Sequence, residues 1–206
     1  MLPPQTRSTR SRKLHRRHLL AIGLAALAQP GFAASTPYRL GPNGATITYL
    51  FTLNGAQVKG TVPVGRADLR IDPGNLAAST ADVTADIRRA RTGLIFATEA
   101  LKSESVLNAR NFPQARFTST RVILGPGGRI SNGAAIEGNL TLRGVTRPVR
   151  FYADQFRKRG SAPGDLSALD VRLQGRINRS DFGAIGYGDI VENPVGIDIR
   201  ADIVAV

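Results

Sequence analysis

Chemistry that moves protons or forms covalent intermediates needs side chains that this sequence almost lacks. Its only histidines, His15 and His18, stand near the N-terminus, and it has no cysteine. Beyond residue 33 that removes thiol nucleophiles, Ser-His-Asp triads, imidazole acid–base catalysis and most zinc or haem ligation. Carboxylates remain. Glu99 and Glu104 flank a predicted helix, but a five-residue spacing puts them on different faces. Asp181, Asp189 and Glu192 share one loop region, where solvated loop residues account for them without a site. Arg179 and Asp181 either position that loop or meet a ligand head group. No Gly-x-Ser-x-Gly elbow occurs. Gly125-Pro126-Gly127-Gly128 is a turn rather than a phosphate cradle, since neither a Lys-Ser/Thr pair nor a helix follows it. The expectation is a protein that is not an enzyme and uses no metal and no cofactor.

What the chain has in quantity is alternation. Ile136, Gly138, Leu140 and Leu142 interleave with Glu137, Asn139, Thr141 and Arg143, which marks a strand with one buried and one wet face. Gly144 breaks the run, and Val149 and Phe151 resume it after Pro148, so a tight corner joins two strands. The same period runs through Ile47, Tyr49, Phe51 and Leu53. Asn54-Gly55 then gives a hairpin signal, and Val58, Gly60, Val62 and Val64 follow. Val83, Ala85 and Ile87 form a third strand. Thr98 to Ala109 breaks the β pattern and predicts one short helix, ended by Phe112-Pro113. Ala115, Phe117, Ser119 and Arg121 form a fourth strand. Leu169, Val171, Leu173, Gly175 and Ile177 form the cleanest amphipathic strand, and Val195, Ile197, Ile199, Ala201 and Ile203 close the chain.

Eight antiparallel strands of this kind close into a barrel or stack as a two-sheet sandwich. Closure leaves no exposed edge, and eight strands leave room for one small ligand. The polar faces carry charge, so water is outside, the reverse of a membrane barrel.

Residues 1–33 read as a leader. Arg7, Arg10, Arg12, Lys13, Arg16 and Arg17 form a basic head, Leu19 to Ala28 an apolar core, and Gly31-Phe32-Ala33 a small-residue cleavage site. About ten apolar residues are too few to span a bilayer, which takes about 20. Arg16-Arg17 ahead of His18-Leu19-Leu20 fits a twin-arginine signal and a Sec signal equally. Export to the periplasm or beyond is the expectation, with residues 34–206 as one mature domain. Removing the leader takes away six of the 28 basic residues and none of the 15 acidic ones, leaving a net charge of +7. Those charges are scattered, with no basic stripe and interleaved aromatics, so nucleic acid is not an expected partner. An anionic membrane surface is compatible with the charge, and a homodimer is left open.

Several segments in this order resemble the YceI-like family of secreted, lipocalin-like proteins that bind polyisoprenoids. They are Gly138-x-Leu140-Thr141-x-x-Gly144-Val145-Thr146-x-Pro148-Val149 and Arg179-Ser180-Asp181-Phe182-Gly183. Asn111-Phe112-Pro113 leading to Phe117-Thr118-Ser119-Thr120, and Val195-x-Ile197-x-Ile199, support them. The resemblance spans roughly Tyr38 to Val206. It implies an all-β fold, an eight-stranded antiparallel lipocalin-like barrel with one short inserted helix and a long apolar pocket. It departs from the family at Gly41-Pro42-Asn43-Gly44-Ala45, where a histidine is often found, and at Ile47 and Thr48, where aromatics are usual.

On this reading the ligand is an isoprenoid, quinone or other long-chain lipid. The candidate lining is Phe51, Val62, Phe117, Ile136, Leu140, Leu142, Phe151, Val171, Leu173 and Phe182. A filled barrel that acts through its outer surface, as a periplasmic stress-response or partner-binding protein, is the alternative. A hollow or a packed interior separates the two.

Overall fold

The computed structural model describes residues 35–162 and 164–206; the expected leader lies outside them. Alternating apolar and polar residues build eight long strands. These are β1 (Thr36–Leu53), β2 (Ala56–Ile71), β3 (Thr80–Asp86), β5 (Gln114–Ile123), β6 (Ala135–Leu142), β7 (Val145–Arg157), β8 (Ala168–Asn178) and β9 (Pro194–Ala205). Between β3 and β5 lie a two-residue strand, β4 (Arg91–Thr92), and one helix, α1 (Ile95–Lys102). The long strands pair antiparallel in the order β1-β9-β8-β7-β6-β5-β3-β2, and β2 pairs back with β1. The barrel is therefore closed, and the sandwich alternative falls.

The turns form where the sequence permits left-handed backbone. Asn54 and Gly55 have φ of 49° and 76°, and Arg143 and Gly144 have φ of 52° and 75°. Positive φ at both central residues is what a two-residue hairpin needs. Pro148 is tolerated inside β7 because β7 pairs with β8 only from Tyr152 onward, leaving Pro148 a ladder on one side.

Two expected elements shift. Ile87 leaves the third strand for a short 3-10 turn, Ile87–Arg89, where the Asp86 carboxylate accepts the Arg88 N–H at 3.0 Å. The helix lies at Ile95–Lys102 rather than at 98–109. Its start is set by Thr92, whose Oγ1 accepts the Leu94 N–H at 3.1 Å, and by Thr98, whose Oγ1 accepts the Thr92 N–H at 2.9 Å. Its end is set by Ser103, which donates through both N–H and O–H to the Ala100 carbonyl. Residues 104–107 form turns, and Asn108, with φ of 48°, ends them. Val106 and Leu107, apolar at helical spacing, stand in those turns and face the interior.

A β1 bulge organises the strand's first half. Leu40 opposes Ile203 and Ala45 opposes Ala201, so residues 41–44 stand against Asp202 alone. The Asp202 side chain is 6% exposed, and Lys158 Nζ lies 2.9 Å from its Oδ1. Asn43 donates to Oδ2 through its backbone and side-chain nitrogens, at 3.3 and 3.1 Å. Gly41 leaves room for the carboxylate, since a Cβ there would stand 2.7 Å from it. The Lys158 hydrogen bond, assisted by Asn43, holds the Asp202 carboxyl below its ordinary range. A depressed carboxyl stabilises the fold above its unfolded value of about 4 and stops doing so as the pH falls through the lower folded value. Thermal melts from pH 6 down to pH 2.5 should therefore fall steeply below about pH 4, and less steeply in Asp202→Asn, which starts lower. Equal acid sensitivity of the two proteins would remove Asp202 from this role.

Candidate ligand-binding site

Each long strand sends alternate residues inward. In place of a filled core they surround a cavity of about 420 Å³. At one end it meets the buried cluster of Tyr38, Ile71, Leu169 and Ile203, where the Tyr38 O–H donates to the Leu166 carbonyl at 2.5 Å. The cavity extends along the strands from Leu40, Leu69 and Ala201 near that cluster to Leu53, Leu142 and Ile177 at the far end.

Three aromatic rings are set against the wall by glycines. A Cβ on Gly138 would lie 2.6 Å from the Phe117 ring, and one on Gly175 would lie 2.6 Å from the Phe151 ring. Phe117 and Phe151 meet edge to face at 5.5 Å, an arrangement favoured by ring quadrupoles. Tyr49 lies over Gly60 and donates its O–H to the Arg91 carbonyl at 2.9 Å. Burial pushes the Tyr49 phenol far above its ordinary value, so it stays neutral. Tyr49 also stacks on Phe51 at 6.1 Å.

Several polar groups of the wall are engaged by the protein, while the Thr80, Gln155 and Tyr187 side chains that also border it make no hydrogen bond among the described residues. Tyr49 is engaged as described, Ser119 Oγ accepts the Ala81 N–H at 2.8 Å, and Ser79 Oγ accepts the Asp72 N–H at 3.1 Å. Arg179 makes no ion pair among the described residues. Its guanidinium instead donates to four backbone carbonyls: Glu192 at 3.2 Å, Ala184 and Gly186 at 2.7 Å each, and Val191 at 3.0 Å. Desolvation lowers the Arg179 pKa from its ordinary value, yet a guanidinium stays charged throughout the working pH range. Of the two roles open to Arg179 in the sequence, its donors are committed to positioning the loop.

Nine of the ten expected lining residues meet at this cavity: Phe51, Val62, Phe117, Ile136, Leu140, Leu142, Phe151, Val171 and Leu173. Phe182 does not. It is 1% exposed in the 3-10 turn Arg179–Phe182, packed against β7 and β8, because that turn carries it out of strand alternation. Sequence reasoning left out Ile47, Tyr49 and Leu53 on β1 and Ile197 and Ile199 on β9, which line the cavity. Their period of two was a sufficient signal. It also left out Phe96, Ala97 and Leu101 around α1 and Tyr187 and Ile190 beyond β8, for which no periodic signal exists.

The far end is bordered by two segments, 92–112 and 179–193. The Gly93 N–H donates to the Lys59 carbonyl at 3.2 Å, placing the first beside β2. The Asn54 N–H donates to the Ile190 carbonyl at 2.8 Å, placing the second beside the β1–β2 turn. The two segments join where the Gly186 N–H donates to the Ser105 carbonyl at 2.8 Å. Phe96, Tyr187 and Ile190 line the cavity yet remain 66%, 46% and 37% exposed, so this end is its mouth.

Comparison with known proteins places these features in a family. The family model described as the YceI-like domain matches residues 38–203. A UPF0312 protein of Vibrio vulnificus is 30% identical over 191 residues, covering 88% of this chain and 98% of its own. Protein YceI of Salmonella newport is 29% identical over 171 residues, covering 81% and 86%. Among solved structures, Burkholderia cenocepacia BcnA aligns with a TM-score of 0.68 at 18% identity, over 80% of this chain and 99% of its own. A polyisoprenoid binding domain from Saccharophagus degradans, implicated in plant cell wall breakdown, aligns with a TM-score of 0.59 at 12% identity, over 83% and 99%. At these identities the two structures speak to the fold alone.

Proposed function

The chain belongs to the YceI-like family, and on that footing we propose that it is a non-catalytic binding protein holding a long apolar ligand, such as a polyisoprenoid or quinone tail, inside its barrel. The observation that carries this reading is a hollow interior whose wall is mostly hydrocarbon, with the Tyr49, Ser79 and Ser119 hydroxyls and the Arg179 guanidinium engaged by the protein. Such a wall has little to offer a polar solute and suits a chain of carbons. The named activity of the Saccharophagus domain, polyisoprenoid binding, agrees with it. A filled interior would favour the reading of a packed barrel acting through its outer surface, and the cavity favours the ligand-holding one.

Length follows from magnitudes. Burying one isoprene unit contributes about 4 kcal/mol gross, at ~0.8 kcal/mol per carbon. Association costs about 4–15 kcal/mol, so several units must be enclosed before binding is useful. With the Tyr49 and Ser119 hydroxyls already engaged, a polar head stays at the mouth. We place the protein in the periplasm or outside the cell, from the leader pattern of residues 1–33. Native mass spectrometry of the protein purified from that compartment, followed by organic extraction, tests the reading. A discrete adduct that extracts as a polyprenyl or quinone species supports it. A bare protein that also refuses added polyprenols and quinones overturns it.

A further inference from the structure

The mouth of the cavity is ringed by apolar side chains that a water-facing loop does not need. Ile95 is 88% exposed, Phe96 66% and Leu94 38%, on the segment that enters α1. Ile185 is 69% exposed, Tyr187 46% and Ile190 37%, on the segment beyond β8. These two stretches are far apart in sequence and flank one opening. Single exposed apolar residues are ordinary, but a contiguous apolar rim marks a surface that meets something. This rim is continuous with the cavity, since Phe96, Tyr187 and Ile190 belong to both.

The stretch ahead of α1 is basic, and the acids beyond it are Glu99, 3.7 Å from Lys102 Nζ, and exposed Glu104. From Ile87 to Thr98 the chain contains Arg88, Arg89 and Arg91 and no acid. Arg88 is paired with Asp86 at 3.4 Å, whereas Arg89 and Arg91 have no acidic partner among the described residues. Exposed Lys59 lies alongside, its carbonyl accepting the Gly93 N–H. The opposite segment carries exposed Asp189 and Glu192, so attraction to an anionic surface is concentrated at Arg89 and Arg91, ahead of α1. Cations ahead of an exposed apolar trio are the elements of an interfacial membrane anchor, in which apolar groups enter the headgroup layer and cations meet anionic lipid.

We propose that this rim docks the barrel mouth-first on an anionic lipid bilayer, so that a long apolar ligand passes between membrane and cavity without crossing water. The proposal rests on the lipid-binding reading above, and its test separates the two.

The exported protein, its N-terminus checked by intact mass, is floated with vesicles of phosphatidylglycerol and phosphatidylcholine and with vesicles of phosphatidylcholine alone. The wild type binds the anionic vesicles. The pair Ile95→Asp and Ile185→Asp, at positions that do not line the cavity, lowers the bound fraction at least tenfold. The pair Arg89→Gln and Arg91→Gln abolishes the preference for the anionic vesicles. Polyprenol uptake from vesicle-free solution is unchanged in the Ile95/Ile185 pair, so a failure of docking is not a failure of ligand binding. The proposal is overturned if the wild type does not float, or if the Ile95/Ile185 pair floats as the wild type does. It is also overturned if that pair folds but loses polyprenol uptake, which would assign the rim to the ligand site. Sedimentation showing that the rim instead buries itself against a second copy of the chain, with no vesicle binding, overturns it as well.

Discussion

Leu140→Arg reduces polyprenol uptake at least a hundredfold. Leu140 stands on β6 opposite Arg147 on one side and Phe117 on the other, and it lines the cavity. A guanidinium placed there finds no carboxylate among the lining residues, and the hydroxyls of Tyr49, Ser79 and Ser119 are already engaged. Burying it unpaired costs several kcal/mol after relaxation, so it draws water in or turns toward the mouth. Either response removes the dry channel that a hydrocarbon chain needs. Because the charge can also cost the fold, Leu173→Trp supplies a second reading without one. Leu173 lies on β8 and faces the same space. The larger indole fills space that the ligand would take, so uptake falls while the melting temperature holds or rises. Titration with a polyprenol, alongside circular dichroism, reads both variants. A folded Leu140→Arg protein that keeps full uptake removes this stretch of wall from the site.

Arg179→Ala lowers the melting temperature by about 10 °C. Four carbonyls lose a charged donor at once. A hydrogen bond to a charged group contributes about 1.5–3 kcal/mol, and partial rehydration of the loop leaves a net loss of about 3 kcal/mol. In a domain of this size that corresponds to about 6–12 °C. Hydrogen exchange should rise selectively between Ala184 and Glu192, the segment the guanidinium spans. Arg179→Lys keeps the charge but offers three donors from one atom in place of a planar fork. It cannot span the four acceptors, so it recovers less than half of the loss. If Arg179→Ala melts with the wild type yet loses ligand binding, Arg179 serves a ligand head group and not the loop.

The strands and their corners were legible because they depend on local rules. A period of two placed β5, β6, β8 and β9 within a few residues of their observed ends and caught the halves of β1 and β2 beside their shared turn, and Asn54-Gly55 and the break at Gly144 marked two hairpins by backbone freedom. The helix was legible as an interruption but not in its position. Val106 and Leu107 carry helical spacing while standing in turns, because Ser103 satisfies the last carbonyl of α1 and Asn108 reverses the chain. The lining was legible wherever it sat on strands, and Phe182 failed because a 3-10 turn does not alternate. Asp202 gave no signal: it occupies an outward place in an alternating strand, and only the β1 bulge makes it buried. The mouth was equally silent. Leu94-Ile95-Phe96 is a short apolar run without a strand period, and its exposure follows from where β4 and the Leu94 N–H to Thr92 Oγ1 hydrogen bond aim the start of α1.

The central claim is that the cavity binds by enclosing apolar length. The most direct measurement is the affinity of the delipidated protein for polyprenols of increasing chain length, from two isoprene units upward. The account predicts gains of about tenfold or more per added unit, equivalent to about 1.4 kcal/mol each, followed by a plateau once the cavity is full. Affinity that is flat with chain length, or that tracks the head group instead, would contradict it.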